Sequence, residues 1–214
     1  APARLTPSSA PATRSPSAPA TSSIGLTRLV GWELMKIRTT RTSQLLLAIG
    51  SIMVVIQAGA ISAMAGSTMQ PGQPPMPGLD DPAMLRTVYA SGFLTGYLFT
   101  LVLGVLGITT EYRHKTITTT LLTVPRRSRV VVAKLGAYLV AGFGFGLAFL
   151  AVALVTAAAV ISIRGYPLGL GASGVPRTLA LSVLGCTVWT VFGLGLGTLV
   201  RNQIAAVVTA VGAV

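Results

Sequence analysis

Four stretches of this chain run for 23 residues or more without a charged side chain, and they limit its fold more than any other feature. A helix needs about 20 apolar residues to cross the hydrocarbon core of a bilayer. Because no water is present there, a spanning segment must bond its own backbone groups, as a helix does. The runs therefore predict an all-α, polytopic membrane protein with spans at residues 44–66, 87–110, 135–163 and 178–200.

The composition agrees with this class of protein. Charged residues make up 9% of the chain, against about 25% in a soluble domain, and the mean hydropathy is +0.75. The third run is longer than a span at about 1.5 Å per residue, so we expect tilt or an extension beyond the bilayer. A fifth apolar run at residues 204–214 is an incomplete span. The transmembrane domain, residues 44–214, thus holds about four and a half spans.

The chain before the first span divides into two parts. Residues 1–23 are rich in Pro, Ala and Ser and lack apolar periodicity, which predicts a disordered tail. Residues 24–43 contain an amphipathic helix with basic side chains on the polar side, a pattern typical of helices that lie on membrane lipid. Glu33 lies within the apolar stripe. It either reaches out to water or pairs with a basic side chain, and we expect the pair because an unpaired buried carboxylate is costly.

The basic residues indicate the orientation in the membrane. The formal net charge is +12, but these side chains gather at the ends of apolar runs, so nucleic acid is not an expected partner. Four basic residues lie between residues 28 and 43 and six between 111 and 134, whereas residues 67–82 have none. Basic segments of membrane proteins face the cytoplasm. We therefore expect a plasma-membrane protein with a cytoplasmic N-terminus.

The longest polar segment between two apolar runs is residues 111–134, EYRHKTITTTLLTVPRRSRVVVAK. Ile117, Leu121 and Val124 are spaced as one stripe of a short helix that Pro125 ends. Its threonines are weak helix formers, so the helix needs an outside contact to keep its shape. One interpretation is a solvated loop with a basic rim facing the membrane. The other is a short helix laid on a partner protein.

The second span has one face that combines aromatic and hydroxyl groups, formed by Phe93, Tyr97 and Thr100. Ligand sites often mix these groups, so the face is a candidate lining for a substrate path. Packing between helices is the alternative interpretation. Glycines four residues apart, which let helices approach closely, occur at 92/96, 142/146 and 193/197.

The chain lacks the residues that several kinds of functional site require. The chain has no G-x-x-x-x-G-K-[ST] loop for ATP, and one Cys and one His cannot supply a zinc site. No span carries an acidic residue or a histidine for a proton relay. We therefore expect no catalysis, no metal and no cofactor bound by this chain.

Specific motifs resemble a known family. The chain resembles permease subunits of type-2 ABC exporters, and within them the actinobacterial drug-export branch, at Glu111, Tyr112, Arg113, Thr116, Ile117, Leu121, Leu122, Pro125, Arg126, Arg127 and Lys134. The family's connecting helix has an E-x-x-K-x-R pattern, which Glu33, Lys36, Arg38 and Arg41 resemble. Lys115 stands where the family usually has Gly.

The resemblance implies six spans per permease, a connecting helix before the first and a coupling helix between the second and third. It implies a second permease copy, identical or not, and ABC ATP-binding subunits that hold ATP and Mg. The exported molecule would be an amphipathic drug, antibiotic or lipid-like compound. Contact with the ATPase would involve Glu111, Arg113, Thr116, Ile117, Leu121, Val124, Pro125, Arg126 and Arg127. The alternatives are a secondary transporter or channel without an ATPase partner, and a membrane scaffold or immunity protein.

Overall fold

The computed structural model describes residues 25–68, 72, 74–113, 127–200 and 203–212. Every regular element in this part of the chain is an α-helix, which confirms the predicted all-α fold. The predicted disordered tail, residues 1–23, lies outside the described residues. So does the centre of the predicted coupling loop, residues 114–126.

The described residues form α1 Leu26–Thr39, α2 Arg41–Met64, α3 Pro82–Arg113, α4 Arg127–Ile163, α5 Val175–Leu199 and α6 Gln203–Gly212. Four of them contain segments long and apolar enough to cross a membrane: Arg41–Met64, Pro82–Thr110, Val130–Ile163 and Val175–Leu199. Within the described chain, α1 therefore precedes the first spanning helix, and the short α6 follows the fourth.

Spanning helices begin before the uncharged runs that predicted them. The second span was predicted from residue 87, whereas α3 starts at Pro82, where the Asp81 carboxylate accepts a hydrogen bond of 2.7 Å from the Ala83 N–H. An Asp before the first turn and a Pro at its first position are the usual start of a helix. A basic side chain near a membrane surface can extend its alkyl stem toward the headgroups, so a helix need not begin after its last charge.

The central helix of the bundle is α3, against which α2, α4, α5 and α6 all pack. Its contact with α5 depends on glycine. A Cβ on Gly104 would overlap the carbonyl oxygen of Thr190, and a Cβ on Gly193 would overlap that of Leu101. Backbones this close exclude any larger residue. The predicted glycine pairs all lie in contacts between helices, at 92/96, 142/146 and 193/197.

The end of the spans remote from α1 is closed by side chains from α2 to α5. Leu79, Tyr89, Ile161 and Val175 are buried there in one apolar cluster. The Tyr89 hydroxyl donates a hydrogen bond of 2.6 Å to the carbonyl of Leu168, in the loop between α4 and α5. This loop is therefore folded onto α3.

Arg164, just after α4, closes the same end of α2. Its guanidinium donates hydrogen bonds of 2.7 and 2.9 Å to the carbonyls of Ser62 and Ala65. The last carbonyls of a helix have no intrahelical partner and carry partial negative charge, so a cation satisfies both needs. Arg164 thus joins the ends of the first and third spans.

Candidate functional site

The amphipathic helix α1 lies against the beginning of α4. Leu29 of α1 and Ala133 of α4 are buried against each other, with Val30 and Val130 beside them. About two turns further along, Ile37 joins a second buried cluster that includes side chains of α3, α4 and α5. Leu29 and Val30 of the predicted apolar stripe are thus covered by the start of the third span, whereas Leu26 is exposed.

An ion pair reinforces this contact. The Glu33 carboxylate accepts a hydrogen bond of 3.1 Å from the Lys134 ammonium, and the side chains are 18% and 8% exposed, respectively. The expected basic partner of Glu33 is therefore Lys134, on another helix, rather than Arg38 or Arg41 on its own segment. Each charge compensates for the desolvation of the other, because burying either charge alone would cost free energy.

Lys134 also links the pair to a third helix. Its ammonium lies 5.8 Å from the centre of the Tyr138 ring, within the range of a cation–π contact. The Tyr138 ring occupies the space that a Cβ on Gly107 of α3 would need. Glu33, Lys134 and Tyr138 therefore connect α1, α4 and α3 at one end of the spans.

The chain turns from α1 into α2 at a single residue, Thr40, whose φ and ψ of −76° and 126° are extended. Side chains satisfy the last carbonyls of α1 at this elbow. The hydroxyls of Thr39 and Thr40 donate to the carbonyls of Met35 and Lys36, and Ser43 donates to that of Ile37. The Ile37 carbonyl lies in the last turn, where carbonyls lack intrahelical partners, and the Ser43 hydroxyl satisfies it from outside the helix.

Most of the predicted ATPase-coupling residues lie outside the described part of the chain, namely Thr116, Ile117, Leu121, Val124, Pro125 and Arg126. The backbone of Glu111 and Arg113 forms the last turn of α3, and Arg127 is the first residue of α4. The described helices α3 and α4 thus flank segment 114–126 in the chain. The coupling role of these residues stays a prediction.

The basic residues predicted for the interfacial helix divide between two elements. Lys36 and Arg38 lie in the last turn of α1, whereas Arg41 is the first residue of α2. All three are exposed. They lie on either side of the elbow at Thr40 in the sequence and give it positive charge.

The predicted substrate-path face packs against α5 in the described structure. The Phe93 ring covers Gly185, and the Tyr97 ring lies 5.4 Å from that of Trp189. Thr100 is fully buried and donates to the carbonyl of Tyr97. These are packing contacts, which the alternative interpretation anticipates, while Phe93 and Tyr97 keep partial exposure. Their role in a path stays a prediction.

One polar contact inside the spans was not anticipated. The Thr95 hydroxyl of α3 donates to the side-chain oxygen of Gln57 on α2. Hydrogen bonds between polar side chains hold neighbouring membrane helices together. The signal was present in the sequence, since Gln57 is an amide residue in the middle of an uncharged apolar run.

Four candidate spans, closely packed through glycine and preceded by the amphipathic helix α1, define a multi-pass helical membrane protein. The sequence matches the family model described as ABC-2 family transporter protein over residues 29–212, so the chain belongs to this family. It is thus of the ABC-2 permease type, a membrane component of transporters that work with ATP-binding subunits. A search of curated proteins found no match.

Proposed function

We propose that this chain is the permease subunit of an exporter that moves an amphipathic drug, antibiotic or lipid-like molecule across the plasma membrane. A second permease copy completes the path, and separate subunits bind and hydrolyse ATP with Mg. The N-terminus and segment 111–134 face the cytoplasm. Phe93, Tyr97 and Thr100 contribute to the wall of the substrate path.

The observation that carries this proposal is the ion pair between Glu33 and Lys134. Helix α4 begins directly after segment 114–126, and Lys134 lies about two turns into this helix. When that segment moves, the first turns of α4 move with it, and the ion pair makes α1 follow. The pair thus connects the proposed ATPase contact with both the interfacial helix and the third span.

The segment itself supports the proposal through its stripe of apolar side chains. A helix this short cannot bury Ile117, Leu121 and Val124 against itself. Full burial of one such side chain contributes about 1.5–3 kcal/mol. A groove on an ATPase subunit that covers them therefore stabilises the complex substantially. Arg113 and Arg126 flank the stripe. Charges at the edge of an interface raise the association rate more than they raise the affinity.

The test is Leu121→Asp, compared with Thr119→Asp as a matched control. Residue 119 lies on the side of the predicted helix opposite the stripe, so both variants add one negative charge to the same segment. Each is co-expressed with the ATP-binding subunit and the complex is purified. Membrane content, ATPase capture and ATP-dependent transport are measured in both.

Leu121→Asp should enter the membrane normally, because insertion depends on the spans. It should lose ATPase capture or hydrolyse ATP without transport, whereas Thr119→Asp should do neither. Normal capture and coupling in Leu121→Asp would refute the coupling role. An unchanged rate of transport in the absence of any ATPase subunit would favour a secondary transporter instead.

A further inference from the structure

The first spanning helix, α2, packs on the bundle through a repeating stripe of side chains no larger than valine. Gly50, Val54, Ala58 and Ser62 follow one another at intervals of four residues, and all four are buried. Residues four apart lie on one face of a helix, one turn from each other. A shift of α2 by one turn therefore brings one small side chain to the place of another. The stripe permits such a shift, but it does not determine where α2 stops.

A polar contact determines the register of α2 in the described structure. The hydroxyl of Thr95 on α3 donates to the side-chain oxygen of Gln57, and both residues lie well inside their candidate spans. Hydrogen bonds between polar side chains hold neighbouring membrane helices together, because the apolar surroundings offer few other partners. Gln57 and Thr95 therefore fix one of the positions that the stripe of small side chains allows.

A second hydroxyl on α3, that of Ser91, lies one turn from Thr95 and is not used. Ser91 precedes Thr95 by four residues on the same face of α3, nearer the end of the spans remote from α1. Its side chain is fully buried, and its hydroxyl has no hydrogen-bond partner among the described residues. Leaving a buried hydroxyl unbonded costs free energy. Other buried hydroxyls of the spans avoid this cost by donating to the carbonyl four residues earlier, namely those of Ser62, Thr109, Thr187 and Thr190.

We propose that α2 has two registers on α3, one in which Gln57 bonds Thr95 and another, one turn away, in which it bonds Ser91. In the second register, α2 has moved about 5.4 Å toward the end of the spans remote from α1. The amide is hydrogen-bonded at both end points but not between them, so a barrier separates the two registers. One-turn steps of this kind give a helix two discrete positions. The inference depends neither on the proposed ATPase contact nor on the identity of a substrate.

Both ends of α2 allow this step. At the end remote from α1, two hydrogen bonds join α2 to Arg164, which is exposed, so water can replace these bonds. At the other end, α2 follows the extended residue Thr40. Unwinding three residues of the first turn, from a rise of about 1.5 Å to about 3.3 Å each, supplies about 5.4 Å. The close contact of α3 with α5 stays intact during the step.

The experiment measures the distance between spin labels on α2 and α5 in lipid nanodiscs, by double electron–electron resonance. The labels replace Ile56 and Leu184, whose side chains are 58% and 56% exposed, so the labels leave the packing intact. Cys186, the one native cysteine, is replaced by Ala so that no third thiol is labelled. Helix α5 is the reference, because its backbone touches that of α3 at Gly104 and Gly193.

Three variants are compared in this labelled chain. Thr95→Val removes the hydroxyl that holds the described register, and Ser91→Ala removes the hydroxyl that holds the second. Thr109→Val is the matched control, since Thr109 is a buried residue of the same helix whose hydroxyl donates to the carbonyl of Val105. Thr95→Val should raise the population of the second register relative to the first about threefold. This factor corresponds to about 0.6 kcal/mol, the average for a hydrogen bond between membrane helices.

Ser91→Ala should lower the same population ratio about threefold, and Thr109→Val should leave it unchanged. Opposite changes in the first two variants distinguish a shift of register from a packing defect, which would act in one direction. An unchanged ratio in Thr95→Val or in Ser91→Ala would overturn the proposal, and so would a change in the same direction in both.

Discussion

Removal of Glu33 tests whether the ion pair to Lys134 holds helix α1 in place. Glu33→Ala leaves the Lys134 ammonium with only 8% of its side chain exposed and without its carboxylate. Lys134→Ala leaves a carboxylate that is 18% exposed. A variant with both changes leaves no buried charge, so it should be less destabilised than the sum of the single changes.

The structure sets the size of this effect. Loss of one partner costs about 3–5 kcal/mol for a buried pair, whereas an exposed pair contributes about 0–1 kcal/mol. Both side chains are nearer the buried case, but Lys134 has a long stem and keeps its contact with Tyr138. We therefore expect Glu33→Ala to cost about 3 kcal/mol. Lys134→Ala should cost slightly less, because the more exposed Glu33 regains water more easily.

The free energy of unfolding is measured in mixed micelles for the wild type, both single variants and the double variant. Arg28→Ala is the control, since it removes an exposed charge from the same helix and should cost no more than about 1 kcal/mol. A coupling energy near zero between Glu33 and Lys134 would refute the conclusion that the pair stabilises the fold. The same result would remove the main support for the proposed connection between segment 114–126 and α1.

Two further predictions concern α5 and the face that packs on it. Gly193→Ala should destabilise the protein by about 1–3 kcal/mol, because the new methyl overlaps Leu101, whereas Gly195→Ala, with open space around it, should be neutral or slightly stabilising in the same unfolding measurement. Tyr97→Ala should change the export of some substrates more than others, compared at equal membrane content. A uniform loss for every substrate would show a packing role alone.

The sequence was sufficient for those features that follow from local composition. Uncharged runs identified the spanning helices because the bilayer admits few alternatives to a helix. Glycine spacing identified contact surfaces, but not which helix each would meet. Glu33 was expected to have a basic partner, yet Lys134 is 101 residues away in the chain and emerged only from the packing of α1 on α4. The partners of Arg164 could not be predicted either, because they are backbone carbonyls at the end of α2, which no residue type marks in the sequence.

These contacts also determine which parts of the bundle can move together. The seam between α3 and α5 has no room to slide, because the backbones at Gly104 and Gly193 already touch the facing helix. Helix α1 is bound to α4 by the ion pair and by the apolar contact of Leu29 with Ala133. Its link to α2 is one extended residue, Thr40, whose exposed hydroxyl bond to the Lys36 carbonyl can exchange with water. We therefore expect a displacement of segment 114–126 to carry α1 along with α4, with the bend at Thr40.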